Sequence, residues 1–313
     1  MSDSSFWEQL VLGFLEHLEV ERNLSRYTIR NYHHYLSRFV EWLLKSNSKA
    51  KLKDVNLKLI TKYRLYLSRL VGRNGSPLSR ATQSYHVIAL RSFLKWLTKR
   101  DYQVLSPEKI DLPKGESRRL TFLNRGQVER LLVAPSISTE RGLRDKAILE
   151  MLFSTGLRVS ELVKLDRDQV DIERREFGVV GKGRRPRVVF LSDRATKWLK
   201  KYFDKRSDHW QPVFIRYSRD KAGPESSGEK MRLTVRSVQR IVEKYRKHAK
   251  LPIKITPHGL RHSFATDLLH AGAGLREIQE MLGHKNVSTT QIYTHVTNPQ
   301  LKKVHQKYHS GNK

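Results

Sequence analysis

No cysteine occurs among the 313 residues. Disulfides, thiolate catalysis and cysteine-ligated zinc are therefore excluded. Long apolar runs are missing as well, and none approaches the ~18 residues that a membrane span needs. The opening MSDSSFWEQL has neither the basic start nor the apolar stretch of a signal peptide. These features lead us to expect a soluble, cytoplasmic protein with no membrane partner. No glycine-rich loop of the Walker type is present, so ATP use is not indicated. No carboxylate cluster suits a two-metal nuclease. The His258/His262 pair at i,i+4 has the spacing of a zinc helix, but Gly follows His258 where such helices carry Glu. No metal and no cofactor are expected.

Acidic residues are scarce relative to basic ones: 31 Asp and Glu stand against 61 Lys and Arg, for a net charge of +30. A chain this cationic repels itself unless a polyanion neutralises it, which points to nucleic acid as partner. Residues 1–112 carry 19 basic and 10 acidic residues, and residues 113–313 carry 42 and 21. Both halves are thus similarly basic, and both are expected to touch the polyanion. The alternative is a generally basic, solvated surface. At 38% hydrophobic content the chain has enough apolar material for real cores. Its length fits roughly two domains of ~150 residues each.

The first half reads as four amphipathic helices. Apolar residues recur at helical spacing through Phe6–Arg22, after the N-cap candidate Ser25, through Leu57–Leu70, and from Ser79 to Leu97. Arg26, Arg30, Arg80 and Arg91 lie off those stripes and are candidates for phosphate contact. A polar stretch with Pro107 and Pro113 reads as a linker, giving expected boundaries of 1–105, a linker 106–119, 120–297 and a tail 298–313. The second half reads as mainly helical with one small antiparallel hairpin, Phe177–Val180 with Val188–Leu191. The hairpin tip Gly181–Arg187 is crowded with cations. Gly156 and Gly283 suit helix C-termini. Residues 216–232 form a polar loop.

Transfer of a phosphodiester needs cations on the non-bridging oxygens, an acid for the leaving oxygen and a nucleophile. Arginine clamps such oxygens bidentately, which lysine does less well. Taken singly, Arg158, His258, Arg261, His284 and Tyr293 each have an ordinary surface or core explanation. Taken in order, TGLRVSEL (155–162), GKGRRPR (181–187), HGLRHSFATDLL (258–269) and LGHKNVSTTQIYTHV (282–296) closely resemble the tyrosine recombinase (phage integrase) family. The last block is closest to the Xer branch.

The resemblance implies a mainly α fold, with a SAM-like helical bundle followed by a helical catalytic domain with a small sheet. It implies that Arg158 and Arg261 bind the scissile phosphate and that Tyr293 attacks it to leave a 3′-phosphotyrosine. Lys182 would protonate the leaving hydroxyl, His258 would assist proton transfer, His284 would donate to a non-bridging oxygen, and Glu161 would orient the site. Arg184, Arg185 and Arg187 would guide the hairpin along the DNA backbone. The implied partners are a duplex with two inverted half-sites and a homotetramer, or a heterotetramer with a paralogue, on nucleoid DNA. A septal DNA translocase is an implied regulator, although the tail QKYHSGNK departs from the His-Pro-Arg-like ending common in Xer proteins. A type IB topoisomerase, a DNA-binding protein without catalysis and a non-enzymatic basic scaffold are the competing readings. The two-half layout and the Xer-like last block argue against the first, and the complete residue set against the second.

Overall fold

The computed structural model describes residues 3–72, 75–112, 121–181, 186–218, 223 and 226–283. The chain divides into two compact units, Met1–Arg118 and Arg119–Lys313. Among the described residues there are eleven α-helices and one two-stranded sheet. No described helix is long and apolar enough to cross a membrane.

The first unit consists of α1 (Asp3–Val20), α2 (Arg26–Ser46), α3 (Leu57–Arg69) and α4 (Arg80–Thr98). The N-caps are those the sequence indicates: Ser25 Oγ accepts from the Thr28 N–H, and Ser79 Oγ from the Thr82 N–H. Each satisfies one of the four N–H groups that a helix start leaves unpaired. The apolar stripes meet in a core rich in aromatic rings, including Trp7, Phe14, Phe39, Tyr63 and Phe93. Phe14 meets Phe93 edge-on, with centroids 5.5 Å apart, a favoured arrangement of ring quadrupoles. A histidine lies in this core. His86 is buried, with Nδ1 3.2 Å from the Tyr63 hydroxyl and Nε2 3.4 Å from an Arg38 nitrogen.

Two details differ from the sequence reading. The first helix stops at Val20 rather than Arg22, because Asn23 turns the chain in the left-handed region (φ 45°) and the Leu24 N–H returns to Leu18 O. Pro107–Lys109 form a 3₁₀ turn, and Ile110 is buried in the first core. The stretch read as a linker from 106 therefore begins inside this unit, while residues 113–119 lie outside the described residues.

The second unit is built around α6 (Glu140–Thr155), whose Ala147, Ile148, Leu149, Met151 and Leu152 are all fully buried. A helix buried on nearly every side needs neighbours all round. α5 (Arg125–Val133), α8 (Asp193–Lys205), α9 (Val235–His248) and α10 (Pro257–His270) supply them. Its four buried charges pair off, Arg144 with Asp145 at 2.6 Å and Lys146 with Glu150 at 2.7 Å. Asn124 and Gln127 close a capping box at the start of α5. The strands β1 (Glu176–Val180) and β2 (Pro186–Phe190) pair antiparallel, with Val179 opposite Arg187. The short helix α11 (Leu275–Leu282) ends at Gly283.

The sequence reading passed over α8. Its seven charged residues obscure a regular stripe of Ala195, Trp198, Leu199, Tyr202 and Phe203. Spacings of three and four are the signal that identifies it.

Candidate active site

Three pieces of chain converge. The first is the turn after α6. Gly156 sits in the left-handed region (φ 58°), and a Cβ there would come within 2.5 Å of the Phe264 ring. Only glycine meets both demands. The turn delivers Leu157 to the core and Arg158 to a half-buried position. The one-turn helix α7 (Val159–Leu162) then begins directly after Arg158. Its start is fixed by Glu161, whose Oε2 accepts from the Arg158 N–H at 2.9 Å.

Glu161 is the hub. Its Oε1 also accepts from the Arg158 guanidinium at 2.8 Å. Arg187, reaching in from β2, donates to both oxygens, at 3.1 and 2.7 Å. Burial pushes the Glu161 carboxyl up, but the bonds from Arg187 and Arg158 overrule it and hold it down at about 2. The carboxylate is thus ionised throughout the neutral range.

The second piece is α10, opened by the N-cap Thr256 and by Pro257 at its first position. His258 and Arg261 lie one turn apart, as the sequence implies, but in different environments. His258 is exposed and meets His262 edge-on at 4.3 Å. Partial desolvation of its ring by the neighbouring chain, then the charges of Arg261 and Arg158, lower its pKa below the ordinary 6.5. His258 is therefore a neutral imidazole at physiological pH, able to accept a proton. Arg261 is only 2% exposed, and its two terminal nitrogens donate to Gly156 O and Leu282 O.

The third piece is the end of α11. Gly283 takes the left-handed cap (φ 64°), and the Met281 and Leu282 carbonyls that precede it are both taken by arginines, Arg187 and Arg261. Cations at a helix C-terminus are favourably placed against its dipole.

Of the residues singled out in the sequence, Arg158, Glu161, His258 and Arg261 are brought together here. Lys182, Arg184, Arg185, His284 and Tyr293 lie outside the described residues, as does the tail 298–313. Arg187, expected to guide DNA, is instead turned inward, with its side chain 9% exposed and its guanidinium held by Glu161 and Met281 O. Strand alternation is the signal that would have placed it: Arg187 and Val189 share a face of β2, and Val189 is core. In the first unit, Arg26, Arg30 and Arg80 are exposed and Arg91 is half-buried. α2 and α4 both begin with arginine and have no acidic residue in the first turn.

Comparison with known proteins decides the family. The phage integrase family model matches residues 121–299, and the phage integrase N-terminal SAM-like domain matches residues 11–101. The chain belongs to the phage integrase family of tyrosine recombinases. It is Xer-like. The tyrosine recombinase XerC of Pelotomaculum thermopropionicum is 36% identical over 303 residues, covering 95% of this chain and 96% of that protein. The tyrosine recombinase XerD of Pasteurella multocida is 34% identical over 313 residues, covering 99% of each. Among solved structures, the XerH site-specific recombinase bound to palindromic difH substrate aligns with a TM-score of 0.70. Its identity is 23%, and the alignment covers 91% of this chain and 81% of that one, which supports the fold. The mainly helical architecture with one small sheet is the family's, and the chain is a DNA recombinase that acts through a tyrosine.

Proposed function

We propose that this recombinase cuts and rejoins a duplex bearing two inverted half-sites, with Tyr293 as nucleophile. The Tyr293 oxygen bonds to the scissile phosphorus as the bond from phosphorus to the 5′-oxygen breaks. The tyrosine proton passes towards His258, and Lys182 supplies a proton to the leaving 5′-oxygen. Bond number is conserved, so neither ATP nor a metal enters the balance. Arg158 and Arg261 hold the non-bridging oxygens, and His284 adds a donor. Paired cleavages exchange strands through a Holliday junction in a tetramer, either of this chain alone or with a paralogue. Residues 1–105 grip the DNA, residues 120–297 carry the chemistry, and the tail 298–313 contacts the neighbouring copy. The setting is the cytoplasm, on nucleoid DNA. The role is dimer resolution of chromosome or plasmid, under a septal translocase, or integration of a mobile element.

The observation that carries this reading is the convergence of Arg158, Glu161 and Arg261 around the Gly156 turn, with His258 one helical turn from Arg261. The exposed arginines at the starts of α2 and α4 support the DNA grip. A helix N-terminus that begins with a cation lacks its usual negative partner, and a phosphate supplies one.

The test is covalent capture. Genomic fragments incubated with the chain yield a protein–DNA adduct whose sequencing identifies the site. A nicked duplex of that site then gives an adduct with wild type and none with Tyr293→Phe, which still binds. An adduct from Tyr293→Phe rejects the nucleophile. Lys182→Ala cleaves slowly and is rescued by a 5′-thio leaving group, which needs no acid. Absence of that rescue rejects the acid role.

A further inference from the structure

Arg187 sits in the site without an assigned role, and its contacts are unusual. It shares the Glu161 carboxylate with Arg158, two guanidinium groups on one carboxylate. Two positive charges and one negative leave a net +1 in the triad. With Arg158 and Glu161 alone, the pair would be neutral. Arg187 also repeats what Arg261 does from the other side. Arg261 joins Gly156 O to Leu282 O, and Arg187 joins Glu161 to Met281 O. The segment carrying Arg158 is thereby stapled twice to the last turn of α11. The fit around Arg187 is close: a Cβ on Gly283 would lie 3.1 Å from the Arg187 Cδ. The planar fork of arginine reaches both Glu161 oxygens and a carbonyl at once, which the single ammonium of lysine does not.

We propose that Arg187 is a positioning residue for strand cleavage: it takes up the charge of Glu161, so that Arg158 keeps a free positive charge, fixed in direction, for the scissile phosphate. This rests on the reading of Arg158 as a phosphate ligand. Among the described residues Arg187 donates to Glu161 and Met281 O, and it acts through Arg158. A cation aimed in advance at developing negative charge gains most in a site that excludes water, and neutralising it costs rate without abolishing DNA binding.

The test uses the captured site as a nicked duplex in two forms. One carries the normal scissile phosphate. The other carries a methylphosphonate there, which has lost the negative charge that Arg158 would meet. On the normal duplex, Arg187→Ala slows adduct formation by roughly 10²-fold, while duplex affinity stays within about threefold. On the methylphosphonate the defect shrinks to less than about tenfold, because a neutral centre asks little of the cation. Arg187→Lys keeps the charge without the fork and falls between wild type and Arg187→Ala, with the same dependence on substrate. It carries the test if the alanine variant does not fold. Glu161→Gln combined with Arg187→Ala recovers part of the lost rate on normal DNA, because removing the carboxylate charge again frees Arg158.

A defect of equal size on both duplexes, with no recovery in the double variant, makes Arg187 merely structural and overturns the proposal. Arg158→Ala separates this from failure of the underlying reading. If its own defect does not shrink on the methylphosphonate, Arg158 is not the phosphate ligand. If its defect shrinks and that of Arg187→Ala does not, the proposal for Arg187 alone falls.

Discussion

In the first unit Arg26, Arg30 and Arg80 stand exposed above a core of aromatic rings. In the second, Arg144, Arg206 and Arg261 are buried among carboxylates and backbone carbonyls, and the Arg187 guanidinium is turned inward onto Glu161. Both halves are similarly basic by composition, with a net +9 over residues 1–112 (19 less 10) and +21 over residues 113–313 (42 less 21). Charge count therefore says nothing about charge use. An exposed arginine offers its charge to a ligand and adds little to stability. A buried one holds pieces of chain in register and becomes costly when its partner is left alone. The first unit gains its stability from rings and leaves these cations at the surface. The second has placed several of its cations inside, where they shape a site.

The sharpest way to break this comparison is Arg206→Met. Its guanidinium pairs with Asp208 and donates to Pro212 O and Val213 O, and its side chain is fully buried. We expect a loss of about 3–5 kcal/mol in the second unit, read by denaturant unfolding with hydrogen exchange to separate the units. A loss below about 1 kcal/mol would remove the structural role claimed for inward arginines.

Acid should act next most strongly, on the first unit. Burial, then the charges of Arg38 and His34, lower His86 from 6.5 to about 4. A base with a depressed folded pKa contributes stability that is complete above 6.5 and is lost as pH falls towards the folded value. Exchange protection of α4 should thus weaken by about 3 kcal/mol between pH 6.5 and 4. In His86→Gln that slope should flatten, and an unchanged slope would assign the acid response elsewhere.

Gly156→Ala places a side chain at φ 58° against Phe264. It should cost about 2 kcal/mol and lower cleavage more than binding, because the turn that aims Arg158 is displaced. Equal loss of both would detach the turn from the chemistry. The smallest stability effect belongs to Arg30→Ala, less than about 0.5 kcal/mol. The same change should reduce the log–log salt slope of DNA binding by about 0.9, where ~8 phosphate contacts in the whole clamp give roughly −7. An unchanged slope would return Arg30 to the solvated surface.

Most of the fold could be read from the sequence because local signals agreed: Ser25, Ser79 and Asn124 cap where their side chains suit, and Gly156 and Gly283 end helices where left-handed backbone is needed. α8 escaped notice because lysines crowd its apolar stripe. The meeting of Arg158, Glu161, His258 and Arg261 could be read only through motif order, since their pairings join segments about a hundred residues apart. Arg187 was misplaced because a cluster of cations looks solvated in one dimension. Its direction depends on the pairing of β2 with β1.

One bond near the start of the second unit has a consequence for synthesis. The Leu123 N–H is buried against Ser263 Oγ, 140 residues later in the chain. Until the ribosome has released α10, that amide has no partner and the Gly156 turn has no Arg261. At about 5–20 residues per second, the interval is roughly 7–28 s. A DNA recombinase thus lacks part of this site for most of its synthesis. The first unit can fold early, whereas the contacts of Arg261 with the Gly156 turn can close only near the end.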